Sequence, residues 1–169
     1  MDSQAARRRD KRPSMLSWQW KAFPELTLEE LYALLALRQE VFVVEQRSLY
    51  LDADGLDARS LHLLGTEDTG PGPFLAAYLR ILPPGVKHPD EASLGRVVTS
   101  PRARGRGLGR ELTERGLARL EALYPRADIR ISAQEYLIAF YGSLGFVTQG
   151  GVYDEDGIPH VEMLRRARG

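Results

Sequence analysis

Between Ser93 and Tyr124 the sequence changes period abruptly: the apolar run SLGRVVT stops, PRARGRGLGREL follows, and leucines then recur at helical spacing. A strand that enters a glycine-rich turn and leaves it as a helix is a narrow structural choice. The turn packs three glycines and four arginines into twelve residues, Pro101 to Leu112. The helix is expected to begin at Gly107 or Leu108 and to carry Leu108, Leu112, Leu117, Leu120 and Leu123 as an imperfect apolar stripe. At such a start the first amides lack intrahelical partners and the peptide dipoles sum to a positive end, so the junction is an anion site. Gly105, Gly107 and Gly109 let the backbone approach phosphate oxygens, while Arg104, Arg106 and Arg110 add mobile positive charge. The plain alternative is a solvated basic turn.

The segments around this junction read as a mixed α/β protein. LSWQWKAF alternates apolar and polar residues from Leu16 to Phe23, a strand pattern. Thr27 and Glu30 then stand in capping-box spacing, opening a helix with Leu31, Leu34, Leu35 and Val41 or Phe42 on its apolar side. LHLLGT and FLAAYLRILP, Leu61 to Thr66 and Phe74 to Pro83, form a predicted hairpin across EDTGPGP. SLGRVVT is the next strand, and DIRISAQ follows the leucine helix with Ile129 and Ile131 facing inward. EYLIAFYGSLGF is read as a short helix stopped at Gly145, and VTQGGVYDEDGIPHVEML as two strands around EDGIP. This order predicts about six or seven strands in a mixed sheet flanked by helices, with parallel crossovers at the two later helices.

Length and composition narrow the function classes. With 169 residues, 43% hydrophobic and 27% charged, the chain suits one domain, expected over residues 15–169. Residues 1–14 read as a disordered basic tail, because Arg7, Arg8, Arg9, Lys11 and Arg12 face only Asp2 and Asp10 there. No aromatic interleaves these residues, so a nucleic-acid partner is set aside. No apolar run reaches the roughly 18 residues of a membrane span, and no apolar signal core opens the chain, so no membrane partner and a cytoplasmic setting are expected. The absence of cysteine removes thiolate metal sites and a cysteine nucleophile. Asp52, Asp54 and Asp57 miss the spacing of a calcium loop, and no metal is expected. These aspartates, with the DED run at 154–156, read either as solvated turn charges or as an acidic mouth for cationic amines.

Other phosphate ligands fit the turn poorly. A nucleoside-triphosphate loop needs lysine and then serine or threonine after its last glycine, and Arg110 and Glu111 stand there instead. A dinucleotide turn follows the first strand of its unit, whereas this one comes late, after antiparallel-looking strands.

Arg104, Gly105, Arg106, Gly107, Leu108 and Gly109 match the signature [R/Q]-x-x-G-x-[G/A], and the chain thereby resembles the GNAT superfamily of N-acetyltransferases. AQEYLIAFYGSLGF, Ala133 to Phe146, resembles that family's second motif in Phe140, Tyr141, Gly145 and Phe146, with Leu137 where alanine is frequent. RQEVFVVEQ, GRVVTSP and YDEDGIPHVEM extend the likeness to the ElaA subfamily. The resemblance implies a sheet splayed between its two central parallel strands and acetyl-coenzyme A as co-substrate. It implies that residues 104–110 hold the pyrophosphate, and that Val97, Val98 and Thr99 pair with the pantetheine arm. It implies further that Tyr141 is the general acid and that the Val98 amide faces the oxyanion. Glu45 and His160 are the candidate bases for an amine acceptor, small or peptidic. Gln134 is a candidate for holding the acceptor or the pantetheine arm. A coenzyme A-binding module without turnover is the competing reading, and the oligomeric state, a homodimer included, stays open.

Overall fold

The computed structural model describes residues 16–69 and 72–168; the basic head over residues 1–14 lies outside them, as do two residues of the EDTGPGP turn. The described elements run β1 (Leu16–Ala22), α1 (Leu28–Arg38), β2 (Leu61–Asp68), β3 (Pro73–Leu82), β4 (Ser93–Thr99), α2 (Leu108–Leu123), β5 (Ile129–Gln134), α3 (Ile138–Gly142), β6 (Val147–Glu155) and β7 (Ile158–Arg165).

The strands hydrogen-bond as two groups, β1-β2-β3-β4 and β5-β7-β6, each antiparallel throughout. Among the described residues, one parallel bridge, Ala92 to Ile129, joins the two groups. The α2 connection is therefore a parallel crossover from β4 to β5. The α3 connection is another, since β5 and β6 both oppose β7. The mixed sheet with two crossovers is thus present, parted in the middle.

Both faces of the first group are covered, and the sequence of β3 shows why. Ala77, Leu79 and Ile81 pack with Leu63 against Leu112, Leu117 and Leu120 of α2. Tyr78 points the other way, with Leu64 and Val98, onto Leu34, Leu37 and Val41. A strand buried on both sides reads as a continuous apolar run, which is what FLAAYLRIL supplies. Each fully buried large side chain contributes about 1.5–3 kcal/mol. Gly116 lets α2 settle onto β3, because a Cβ there would lie 2.9 Å from Leu79 Cδ2. Leu123, expected on the stripe, is 42% exposed: the last turn of α2 runs beyond the sheet.

Two helices differ from their sequence readings. The capping box of α1 forms, with the Glu30 amide donating to Thr27 Oγ1 at 3.1 Å and the Thr27 amide to Glu30 Oε2 at 2.9 Å. The α-helix ends at Arg38, however, and Gln39–Glu45 continues as a π-helical segment, closed by the Gln46 amide donating to the Val41 carbonyl at 3.0 Å. The segment from Glu135 starts as a 3-10 turn, Glu135–Leu137, so α3 itself spans only Ile138–Gly142.

The aspartates of DADGLD are paired rather than free in solvent, Asp52 and Asp57 largely buried and Asp54 with 28% of its side chain exposed. Asp52 is buried and accepts from Arg38 Nε at 2.6 Å; Asp57 accepts from Arg38 Nη1 at 2.8 Å and from Arg80 Nη1 at 2.7 Å. Asp54 binds Arg80, and Asp52 Oδ1 lies 2.8 Å from Arg96 Nε. Three guanidinium groups thus meet three carboxylates, which is how this charge tolerates burial. Burial alone would raise the carboxyl pKa values, but the arginine hydrogen bonds outweigh it and hold Asp54 and Asp57 below the ordinary range.

Candidate active site

The site is an opening in the sheet. At its base the Ala92 amide donates to the Asp128 carbonyl at 2.9 Å and the Arg130 amide to the Ala92 carbonyl at 2.9 Å. Beyond that point β4 stays with β3 and β5 stays with β7. The divergence has a local cause: Arg96 has φ +53 and the β3–β4 register slips between Tyr78 and Arg80, so β4 carries a bulge that bends it away. Between the strands lies a cleft of about 400 Å³. Val97, Ser132, Gln134 and Tyr141 line it, together with Glu155 and His160.

β4 is the edge strand of its group, and it runs directly into the glycine turn. Gly105 and Gly107 take φ +77 and +76, a left-handed conformation that costs other residues roughly 1–2 kcal/mol. Gly107 is the residue before α2, and no side chain caps the helix there. A Cβ at Gly105, Gly107 or Gly109 would meet nothing within 4 Å, so this backbone is open to an approaching ligand. Leu108 is buried and anchors the helix start from below.

Acidic partners already orient the arginines of the turn. Arg104 Nη2 lies 2.9 Å from Glu45 Oε1, and Arg106 Nη2 lies 2.5 Å from the buried Glu67. Arg110 donates to Ser143 Oγ at 2.8 Å and sits over the Phe140 ring at 5.5 Å, tying the turn to α3. Arg102 stacks on Phe74 at 4.2 Å instead of standing free in solvent.

Tyr141 is buried yet lines the cleft, its ring held edge-on by Phe140 at 5.0 Å and Phe146 at 5.8 Å. Burial pushes its hydroxyl pKa above the usual tyrosine range, so the group keeps its proton. Gln134 Nε2 donates to Gln46 Oε1 at 3.0 Å, linking β5 to the end of the π-helical segment. His160 Nδ1 donates to the Ile158 carbonyl at 2.8 Å, so in the neutral ring Nε2 holds the lone pair, 3.7 Å from Glu155 Oε2. Val97 faces the cleft, whereas Val98 is buried opposite Tyr78 and Thr99 pairs opposite Ala77. Glu45 is not among the lining residues; it stays with Arg104 at the glycine turn. Among the described residues no group of three or more metal-binding side chains is arranged to hold an ion.

The acetyltransferase (GNAT) domain profile matches residues 85–166, which include the bulged strand, the glycine turn and both walls of the cleft. The UPF0039 protein sll0451 of Synechocystis is 45% identical over 152 residues, covering 89% of this chain and 96% of that protein. Protein ElaA of Escherichia coli is 40% identical over 156 residues, covering 89% of this chain and 97% of its own.

The chain belongs to the GNAT acetyltransferase family, in its ElaA group.

The solved structures agree. The acyl-CoA N-acyltransferase of Pseudomonas aeruginosa superposes with a TM-score of 0.81 at 48% identity, covering 89% of this chain and 99% of that one. Escherichia coli ElaA superposes with a TM-score of 0.80 at 38% identity, covering 90% of this chain and 100% of that one. Acyl transfer from an acyl-coenzyme A is the chemistry of the GNAT family, and the parted strands with their glycine turn fit such a donor. Sequence reading of this GNAT chain passed over Gln46, Ser132, Tyr153 and Glu162. For Ser132 the signal available was the polar phase of DIRISAQ, which puts Arg130, Ser132 and Gln134 on the face opposite the buried Ile131 and Ala133.

Proposed function

We propose that this protein transfers an acetyl group from acetyl-coenzyme A directly to a primary amine. The observation that carries the proposal is the continuity of one path: an uncapped helix start, the free edge of β4, and a cleft with buried, protonated Tyr141 on its wall.

Acetyl-coenzyme A supplies the thioester carbonyl when bound. In this proposal the amides of Arg104 to Arg110 hold its pyrophosphate, and the unpaired edge of Val97, Val98 and Thr99 takes the amide-bearing arm as an added strand. The exposed Arg104–Glu45 pair contributes about 0–1 kcal/mol, so Arg104 can exchange the carboxylate for a phosphate oxygen at small cost. Glu45 thus orients the first arginine of the signature before the cofactor arrives, and in this proposal takes no proton from the acceptor. The Val98 amide has the phase of the Ser100 amide, which donates to the Ala76 carbonyl, so it faces β3; the developing oxyanion falls instead to the Val97 amide on the free edge. Tyr141 gives its proton to the departing sulfur, a role that suits a hydroxyl which stays protonated across the neutral range. Gln134 and His160 stand on the acceptor side, where the amine arrives.

Melting the protein with saturating acetyl-coenzyme A, ATP and NAD in parallel tests the donor. Ligand at a hundred times its dissociation constant stabilises by about 2.7 kcal/mol. A shift with acetyl-coenzyme A is expected, and mass spectrometry should then find the acetyl group on the nitrogen of an added amine. A shift with ATP alone contradicts the proposal. So does thiol release that is independent of any amine.

A further inference from the structure

Four side chains on the cleft-side face of β5, β7 and β6 are joined by three oxygen contacts. Ser132 Oγ lies 2.7 Å from Glu155 Oε2 and 2.5 Å from Tyr153 Oη, and Tyr153 Oη lies 2.9 Å from Glu162 Oε1. The register brings them together, with Ser132 opposite Glu162 and Tyr153 opposite His160. Each separation is in the range of an O–H···O bond, so each contact requires one hydrogen. Ionised carboxylates only accept, and each hydroxyl brings one hydrogen. Three contacts therefore share two hydrogens, and the chain has room for one more proton. Tyr153 is not ionised in the neutral range: burial raises its pKa and the carboxylate of Glu162 adds to this, against the opposing bond from Ser132, leaving it pushed up to about 12. An additional proton can enter from the cleft or from water, since the Glu155 side chain is 47% exposed and Tyr153 37%.

The chain of oxygens also has a direction. Glu155 and Ser132 line the cleft, while Tyr153 and Glu162 are not among its lining residues, so the contacts lead outward from the reaction space. Around it stand His160 on β7, 3.7 Å from Glu155, and Arg130 on β5, 3.9 Å from Glu162 and 2.8 Å from Glu91. His88 acts on this group at longer range, and Asp156 lies in the β6–β7 turn.

We propose that Glu155, Ser132, Tyr153 and Glu162 form a relay that deprotonates a cationic primary amine in the cleft. The proposal rests on the acyl-transfer reading and supplies its base. The N–H bond of the ammonium breaks and the Glu155 carboxylate takes the proton. Glu155 passes a proton to Ser132 Oγ, Ser132 passes its own to Tyr153 Oη, and Tyr153 passes its own to the Glu162 carboxylate. The net change is one ammonium and one carboxylate converted into a neutral amine and a carboxylic acid. Glu162 then releases the proton to water, and both hydroxyls end as they began. The amine keeps the electron pair that attacks the carbonyl carbon.

The test measures kcat/KM against pH, with acetyl-coenzyme A and with butylamine and phenethylamine as acceptors. Glu155→Gln and Tyr153→Phe should each lose about a hundredfold near neutral pH. The loss should shrink markedly near pH ~10, where roughly a third of an alkylamine is already neutral without help. Ser132→Ala should repeat this pattern and Ser132→Thr should restore the rate. A loss that is equal at every pH, or no loss, overturns the relay. A second readout needs no turnover: the carboxyl carbon signals of Glu155 and Glu162 should respond together in one protonation step, and separately in Tyr153→Phe. Separate responses in the wild-type chain, with amine turnover present, overturn the relay alone. Coupled responses in a chain that acetylates no amine overturn the proposal together with the reading it rests on.

Discussion

Gly107 and Gly109 sit two residues apart in the turn and make different demands. Gly107 holds φ +76, whereas Gly109 lies within α2 at ordinary helical geometry, and neither would bring a Cβ within 4 Å of another group. Gly107→Ala should therefore destabilise the free protein by about 1–2 kcal/mol. Gly109→Ala should leave it equally stable or firmer by roughly 0.5–1 kcal/mol, as alanine does in a helix. Both should weaken acetyl-coenzyme A if it binds as proposed, because its pyrophosphate would approach the backbone where the new methyl stands. Melting with and without acetyl-coenzyme A separates the two effects. Gly107 was legible in the sequence because a left-handed turn before a helix demands its residue type. Ser132 and Tyr153 were not, since 21 positions separate them and only strand register makes them neighbours.

At the scale of elements, the segment between α1 and β2 illustrates how sign alone misleads. DADGLD offered three carboxylates at turn spacing, and the three arginines that neutralise them come from α1, β3 and β4, beyond any local pattern. Those pairs make stability depend on pH in a defined window. Asp54 and Asp57 are held below their unfolded value near 3.8, so their contribution is full above that value and is lost as pH falls through the folded pKa values. Burial depresses the pKa of His62 below 6.5 while its Nε2 faces the Asp57 carbonyl at 3.0 Å, so loss begins as pH drops under 6.5. Burial raises the pKa of Tyr78 above 10.0, so stability declines again once pH exceeds that value. Denaturant melts should show a plateau between about pH 6.5 and 10. Asp57→Asn should lower the plateau by about 1–3 kcal/mol, because it removes one of the two carboxylates that Arg38 and Arg80 each bind, and should flatten the limb below pH ~4. By contrast, the start of α1 and the start of α2 were readable, because a capping box and a glycine before a leucine stripe are local chemistry.

For the molecule as a whole, the consequence of the fold is a gap. The order of strands and helices predicted the mixed sheet and both crossovers, and the family resemblance implied the parting of β4 from β5, whose local cause is a bulge at Arg96 that no residue type announces. That gap places Tyr141, brought in by α3, opposite the strand edge that leads to the glycine turn. The account stands or falls on whether this arrangement moves an acyl group to an amine with Tyr141 as proton donor. The decisive measurement is the rate of thiol release from saturating acetyl-coenzyme A with phenethylamine, in the wild-type chain and in Tyr141→Phe. The wild type should release thiol only when amine is present. Tyr141→Phe should be slower by about a hundredfold in kcat while acetyl-coenzyme A raises its melting temperature as much as before. Equal rates in the two proteins, or release that ignores the amine, would contradict it.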